Sequence, residues 1–210
     1  MHLTRQNVTT KLPIPRKGTK YIARASSHLS ESVSVLLAVR DMLKLARTAK
    51  EVRKMVQDKM LKINGRSVMD LHESIKLFNF FEADKPYRLS LLPTKKFTFE
   101  EVKSKDVSKE LRLVKVTNKR LVRGGKIQLN LHDGSNILTS DNVSVNDSLY
   151  LDSEGKIRKH IKLEKGKEAM VIAGKHAGKA GTIESIDGSL SKIKSNGGSI
   201  VVQLQQIIAL

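Results

Sequence analysis

The sequence contains no cysteine and no tryptophan, and only 4% of its residues are aromatic. Without cysteine the chain cannot form disulfides, bind zinc through thiolates or use a thiol nucleophile. The low aromatic content predicts that stacking on nucleic-acid bases is at most a minor contribution to binding. These absences exclude thiol chemistry, whereas the cellular compartment stays open.

Long apolar runs are also missing. No apolar run is longer than that of residues 35–39, which is far shorter than the roughly 18 residues that a membrane-spanning helix needs. No apolar stretch follows the first charged residues, so a cleaved secretory signal is not expected. The sequence therefore predicts a cytoplasmic protein with no membrane partner.

Acidic residues are scarce relative to basic ones. The chain has 39 Lys and Arg against 21 Asp and Glu, which gives a formal net charge of +18. Such an excess predicts a polyanionic partner. With 210 residues, 39% of them apolar, the chain can form several small domains more easily than one large catalytic core.

Residues 1–28 contain no acid, and Pro13, Pro15 and Gly18 interrupt any helix there. Apolar residues are too few to offset a backbone ordering cost of about 1–2 kcal/mol per residue, so this segment is predicted to be an extended arm that orders on RNA. A frayed, solvated tail is the alternative. The candidate RNA contacts in the arm are Arg5, Arg16, Lys17 and Arg24.

Apolar residues recur at spacings of three and four across residues 30–46, which predicts a helix with one buried face. Thr48 and Glu51 have the spacing of a capping box, so a second helix is predicted to begin there. Farther on, Asn64-Gly65 lies between two short apolar runs. Because a type I′ turn needs positive φ at both central positions, this dipeptide predicts a β-hairpin.

Positive charges concentrate on this predicted helix pair and hairpin. Arg40, Lys44 and Arg47 lie four and three residues apart, so one helical face should carry all three. A solvated charged face is the alternative, but the cations outnumber the acids and favour contact with phosphate. The candidate RNA contacts here are Arg40, Lys44, Arg47, Lys50, Arg53, Lys54, Lys62 and Arg66.

Residues 43–56, followed by residues 61–66, resemble the small alpha-L-type RNA-binding domain of several ribosomal proteins and RNA-modifying enzymes. In that family the helix pair and the loop before the hairpin lie along structured RNA. The resemblance implies the same role for Arg47, Lys50, Arg53 and Arg66. The module also occurs in pseudouridine synthases and RNA-binding heat-shock proteins, so it does not define the function by itself.

Residues 94–164 predict a β-rich domain. Strands are predicted at residues 111–116 and 126–131, separated by Gly124-Gly125 and followed by a turn at Asp133-Gly134. A later segment alternates apolar residues with cations, although Lys159 interrupts its apolar side.

As a strand, this later segment would carry a positive row on one face. The row consists of Lys156, Arg158, His160 and Lys162, of which Lys156 and Arg158 are candidate RNA contacts. An ordinary charged outer face of an antiparallel sheet explains the row equally well.

Residues 165–186 resemble the KOW motif of ribosomal proteins and transcription factors, in which two strands flank a glycine-rich turn within a small SH3-like barrel. Lys175, His176 and Lys179 project from this turn and are candidate phosphate contacts, whereas Gly181 is expected to serve the backbone path alone. Asn196-Gly197-Gly198 predicts another hairpin, and residues 207–210 could close the barrel.

The order of these segments resembles the archaeal and eukaryotic small-subunit ribosomal protein four family, of the e-type. Matching segments span nearly the whole chain and include Pro13-Ile14-Pro15 and Val145-Asn146-Asp147. The resemblance implies an α+β, multidomain fold. Its expected parts are a basic arm (1–28), an alpha-L-type RNA-binding domain (29–93), a central β-rich domain (94–164) and a C-terminal SH3-like KOW β-barrel (165–210).

The family implies a structural role that involves small-subunit ribosomal RNA and neighbouring small-subunit ribosomal proteins, with no small-molecule substrate. The residues agree, because no Gly-Lys-Ser/Thr phosphate loop and no His-Glu-x-x-His site occurs. We therefore expect no catalytic residues, no cofactor and no metal. The alternative is a free RNA-binding transcription or translation factor, which the acid-free arm disfavours.

Overall fold

The computed structural model describes residues 3–102, 111–122, 124–152, 154–195 and 198–210. The chain divides into two compact units, residues 1–109 and 110–210. Within the described ranges both units consist mainly of β-strands, and helices are few. The predicted β-structure of the C-terminal part agrees with this architecture.

Among its described residues, the first unit contains short strands arranged in three sheets. Strands β5-β4-β7-β8-β9 form one sheet, and β1–β2 and β3–β6 form two small ones. Helix α1 (Val35–Leu37) continues as a π-helix (Ala38–Met42), and helix α2 spans Ala49–Gln57. The strands are β1 (Leu3–Thr4), β2 (Tyr21–Ile22), β3 (Ser32–Ser34), β4 (Lys62–Ile63), β5 (Arg66–Ser67), β6 (Ser74–Lys76), β7 (Phe80–Glu82), β8 (Pro86–Leu91) and β9 (Phe97–Glu101).

The first helix is shorter than its apolar pattern predicts. Residues 32–34 form β3, and helical backbone begins only after Ser34, whose hydroxyl accepts a hydrogen bond from the Leu37 N–H at 3.4 Å. The helix ends at Met42, and Lys44 has a φ of 57°, which a right-handed helix excludes. The prediction of one helix over residues 30–46 was wrong because a buried strand followed by a buried helix gives the same continuous apolar run.

The second helix and the hairpin are confirmed where they were predicted. The Thr48 hydroxyl accepts from the Glu51 N–H at 3.3 Å, and the Glu51 carboxylate accepts from the Arg47 N–H at 2.8 Å. The arrangement is that of a capping box, except that Glu51 accepts from the N–H of the residue before the N-cap Thr48. Asn64 and Gly65 have φ of 50° and 78°, as a type I′ turn between β4 and β5 requires.

The described part of the N-terminal segment is folded onto the first unit, which corrects the prediction of an extended arm. Strand β1 pairs with β2, and the carbonyl of Lys11 accepts a hydrogen bond from the Phe97 N–H at 2.8 Å. The buried apolar side chains of this segment are Val8, Leu12 and Ala25. These few contacts suffice because the segment shares the core of the first unit and does not need one of its own.

A domain boundary was predicted after residue 93. In the structure β8 and β9 pair on either side of this position, while the two units divide between residues 109 and 110. The finer division at residues 28, 93 and 164 stays a prediction.

The second unit contains two antiparallel sheets, each of five strands among its described residues. Their orders are β12-β11-β10-β13-β14 and β18-β17-β16-β15-β19. We call them the central sheet and the C-terminal sheet. The strands are β10 (Arg112–Leu121), β11 (Ile127–Leu131), β12 (Asn136–Thr139), β13 (Ser148–Leu151), β14 (Ile157–Ile161), β15 (Glu168–Val171), β16 (Ala180–Asp187), β17 (Leu190–Ser195), β18 (Gly198–Gln203) and β19 (Ile207–Ala209).

The predicted strands at residues 111–116 and 126–131 are β10 and β11, each with slightly shifted ends. The hairpin predicted at Asn196-Gly197-Gly198 joins β17 to β18, but its first two residues lie outside the described ranges. Strand β19 pairs with β15, and a 3-10 turn at Leu204–Gln206 connects it to β18.

Buried polar side chains of the central sheet, those of Ser148 and Lys115, hydrogen-bond to the C-terminal part of the second unit. The Ser148 hydroxyl in β13 accepts a hydrogen bond from the Ala209 N–H at 3.0 Å. The ammonium of Lys115, whose residue is only 2% exposed, donates to the carbonyls of Leu204 and Ile207 at 2.5 and 2.6 Å. Burial lowers the pKa of Lys115 to about 8.

Candidate nucleic-acid interface

Helix α2 presents three cations on one exposed face. Lys50, Arg53 and Lys54 are spaced at i, i+3 and i+4, while Val52 and Val56 are buried on the opposite side. None of the three cations has a side-chain hydrogen bond or an ion pair with a residue that the structure describes. Their charge is therefore available to a ligand.

The predicted helical face of Arg40, Lys44 and Arg47 does not exist, because the helix ends before Lys44. Arg40 instead forms an ion pair with Asp41, with 2.8 Å between Nη2 and Oδ2, and the hydrogen bond raises the pKa of Arg40 above its ordinary value. Lys44 and Arg47 are exposed on the short connection to α2. They remain candidates, separate from Arg40.

The two cations of the hairpin are paired with acids of the same unit. Lys62 lies 3.5 Å from Glu82 on the neighbouring β7, and Arg66 lies 2.8 Å from Glu73. Side-chain exposure of 72% for Arg66 nevertheless leaves much of its guanidinium accessible.

Two of the four candidate cations in the N-terminal segment form side-chain hydrogen bonds within the described part of the chain, and two do not. The Arg5 guanidinium donates to the carbonyls of Pro15 and Thr19 at 2.6 and 2.8 Å, so it closes the loop between β1 and β2. Arg16 makes one longer bond, 3.3 Å, to the carbonyl of Val8. Within the described part of the chain the side chains of Lys17 and Arg24 have no such partner. Arg5 thus has a structural role that sequence reasoning missed.

The predicted positive row on β14 is interrupted by a β-bulge. Leu151 pairs with Ile157 and Tyr150 with Lys159, so Arg158 is the extra residue of the bulge. His160 pairs with the fully buried Leu149 and therefore shares its face of the sheet. The prediction that strict alternation places these cations in a single row on the outer face of β14 was therefore wrong.

Lys156 and Arg158 each form an ion pair with a nearby carboxylate. Lys156 lies 2.8 Å from Glu154, and Arg158 lies 2.7 Å from Asp152. Both acids lie in the turn before β14, so the turn and the strand form their own ion pairs.

The KOW turn connects β15 to β16 and exposes two lysines. Lys175 and Lys179 are exposed, while His176 is half-buried. The Val171 N–H donates to the carbonyl of Lys179 at 2.9 Å, which closes the turn at its base. Gly181 lies beyond the turn, in β16.

Gly181 serves the backbone path, as expected. A Cβ at this position would clash with the carbonyl oxygen of Lys194 in β17. The glycine therefore permits the close approach of β16 and β17.

Two further findings concern the described residues. They contain no group of three or more His, Cys, Asp or Glu side chains that could hold a metal ion. Among them, too, no helix has the length and apolar character that crossing a membrane requires.

The sheets and the unpaired cations in both units define a basic, β-rich protein suited to a polyanionic ligand. Two family models match the chain, Ribosomal family S4e over residues 83–157 and KOW motif over residues 165–195. The chain belongs to the ribosomal S4e family, because its curated relatives exceed 30% identity over most of its length.

Small ribosomal subunit protein eS4 of Archaeoglobus fulgidus is 36% identical over 191 residues, covering 88% of this chain and 80% of that protein. The protein of the same name from Methanospirillum hungatei is 33% identical over 191 residues, covering 87% and 78%. The crystal structure of the 30S ribosomal protein S4e from Thermoplasma acidophilum matches with a TM-score of 0.73 at 25% sequence identity, covering 86% of this chain and 95% of that one.

Proposed function

We propose that this protein is a structural, non-enzymatic constituent of the small ribosomal subunit that binds ribosomal RNA and supports subunit assembly and translation. The observation that carries the proposal is the 36% identity, over 88% of the chain, to a protein named small ribosomal subunit protein eS4. Its partners are then small-subunit ribosomal RNA and the neighbouring ribosomal proteins, and it resides on the cytoplasmic ribosome.

The unpaired cations support RNA as the ligand. Lys50, Arg53 and Lys54 on α2, and Lys175 and Lys179 on the KOW turn, can each displace a counterion from a phosphate. Because the major groove of A-form RNA is too narrow for side chains to read, recognition depends mainly on the shape of the RNA backbone. The chain binds folded RNA without turnover.

The finer architecture belongs to the same proposal. Residues 29–93 form an alpha-L-type RNA-binding domain, supported by the capped helix α2 followed by the β4–β5 hairpin. Residues 165–210 form an SH3-like barrel, supported by the strand order β18-β17-β16-β15-β19 and the 3-10 turn between its two edge strands.

Sucrose-gradient sedimentation of cell lysate tests the function directly. The protein is detected across the gradient at low salt and again at moderate and high salt. We expect it to co-migrate with small subunits and to stay there at moderate salt. A peak at the top of the gradient under all conditions would contradict the proposal and favour a free RNA-binding transcription or translation factor.

A further inference from the structure

The second unit contains a cleft of about 340 Å³ where the end of the central sheet meets the start of the C-terminal sheet. We call it the junction cleft. It lies at the end of β14 and along the connection to β15. Its charged and polar lining includes Lys159, His160, Lys162, Glu164 and Lys167.

The β-bulge in β14 explains how Lys159 reaches this cleft. After the extra residue Arg158, Lys159 lies opposite Tyr150 and Ile161 lies opposite Ser148. Residues directly opposite each other on paired strands share a face of the sheet. Because Ser148 hydrogen-bonds to β19, this face is the one that meets the C-terminal sheet, and Lys159 lies at its rim.

Asp147 anchors the backbone beside Lys162, another cation of the cleft. Its carboxylate accepts hydrogen bonds from the backbone N–H groups of Ser144 and Leu163, both at 3.1 Å, and lies 2.6 Å from Nε2 of His160. Lys162 and Glu164 flank the anchored Leu163. The buried carboxylate of Asp147 thus contacts Ser144, Leu163 and His160, and it forms no ion pair with the lysines of the cleft.

The three lysines of the cleft differ from the two cations at the start of β14. Within the described ranges Lys159, Lys162 and Lys167 form no ion pair, although Lys159 lies 5.6 Å from the centre of the Tyr150 ring. Lys156 and Arg158, by contrast, each hold a carboxylate within 2.8 Å. In this part of the second unit, the cations without an ion pair therefore lie around the cleft, whereas Lys156 and Arg158 before it are paired.

We propose that the junction cleft binds the phosphodiester backbone of RNA through Lys159, Lys162 and Lys167. The inference rests on the proposed ribosomal function and assigns to it a contact site. Among the side chains that line this concavity, three ammonium groups outnumber one carboxylate, that of Glu164, and favour an anion. Imidazole is the only ring that lines the described cleft, so phosphates and not stacked bases are its ligand.

Two double variants with the same loss of charge test the inference in the full chain. K162Q/K167Q removes two unpaired cations, and K156Q/R158Q removes two paired ones. The probe is an in vitro transcript of small-subunit ribosomal RNA, and its affinity is measured from about 0.1 to 0.4 M salt. Each lost phosphate contact makes the slope of log affinity against log salt less negative by about 0.9. We expect K162Q/K167Q to make this slope less negative by nearly twice that amount and to weaken the affinity about tenfold. K156Q/R158Q should change the affinity less than about threefold.

The outcomes separate the inference from the function on which it rests. If the wild type binds the transcript and both variants weaken it equally, the junction cleft is not a phosphate site, while the ribosomal function stands. If the wild type itself shows no salt-dependent binding to the transcript, the proposed function is contradicted.

A second measurement needs no variant and so does not depend on folding of the mutants. Lysine acetylation of the wild type, with and without the transcript, is quantified at each lysine. We expect RNA to protect Lys162 and Lys167 several-fold more than Lys156, and equal labelling in both states would overturn the inference.

Discussion

Helix α2 and the central sheet are both rich in cations, but they use them differently. On α2 the cations Lys50, Arg53 and Lys54 have no partner among the described residues. In the central sheet Arg112 pairs with Asp133 at 2.8 Å, and Lys156 and Arg158 pair with nearby acids. The comparison teaches that net charge alone does not locate a polyanion-binding surface.

The difference has a local cause. The acid of α2, Glu51, accepts hydrogen bonds from the backbone N–H of Arg47 and the hydroxyl of Thr48, and it forms no ion pair with Lys50, Arg53 or Lys54. These hydrogen bonds also lower the pKa of Glu51. In the sheet the acids lie in turns beside the strands, within reach of the cations. A capping box therefore leaves the helix face positive, whereas acids in the turns of the sheet pair with Arg112, Lys156 and Arg158 and leave Lys159 without an ion pair among the described residues.

The largest expected effect concerns Lys115, which is buried, whereas the three cations of α2 are exposed. In the unfolded chain its pKa is near the ordinary 10.5, whereas burial lowers it to about 8 in the fold. Between these values the unfolded state binds a proton that the folded state does not, so the free energy of unfolding rises with pH. It should rise by at most about 1.4 kcal/mol per pH unit, on the order of 3 kcal/mol in total.

The variant K115M removes this titration while keeping a side chain of similar length. We measure denaturant unfolding of wild type and K115M from about pH 7 to 10.5, the window in which Lys115 titrates. The difference in unfolding free energy should grow in favour of the wild type as pH rises. Parallel profiles would show that the ammonium of Lys115 is as easily protonated inside as outside the fold.

The next effect compares α2 with the central sheet directly. R53Q/K54Q and K156Q/R158Q each remove one Arg and one Lys, and only the first pair is free of acids in the structure. We expect R53Q/K54Q to weaken binding to the small-subunit RNA transcript about tenfold. The slope of log affinity against log salt should become less negative, by nearly the amount that two phosphate contacts contribute. Equal losses would break the distinction between paired and unpaired cations.

The smallest effect isolates the cap that leaves α2 positive. E51A removes the acceptor for the Arg47 N–H and should lower the free energy of unfolding, because the bond that caps the helix start is lost. E51Q, the matched control, keeps an oxygen acceptor and should cost less. Thermal unfolding of the two variants gives the comparison, and a loss of the same size in both would show that charge, and not the cap bond, stabilises the helix start.

Local signals in the sequence predicted local structure well. The Thr48 to Glu51 spacing and the Asn64-Gly65 dipeptide each specify their backbone within a few residues, so both features could be predicted and both are present. The KOW segment likewise gave two strands around a glycine-rich turn.

Contacts between distant segments could not be predicted in the same way. Lys115 lies in a strand that was expected, but only the C-terminal sheet makes it buried. The bulge at Arg158 shifts the alternation of β14, and periodicity alone contains no sign of it. As a result, the candidate cations were identified as a set, while the division into paired and unpaired members needed the fold.

The buried ammonium of Lys115 also has a consequence for the order of events during synthesis. Its two acceptors lie 89 and 92 residues later in the chain. Until that later segment has left the translating ribosome, both acceptors are absent and Lys115 stays hydrated, so the central sheet lacks the contacts that cover this face in the finished fold. The second unit should therefore mature in one cooperative step after residue 207 emerges, and nascent chains halted earlier should remain open to proteases.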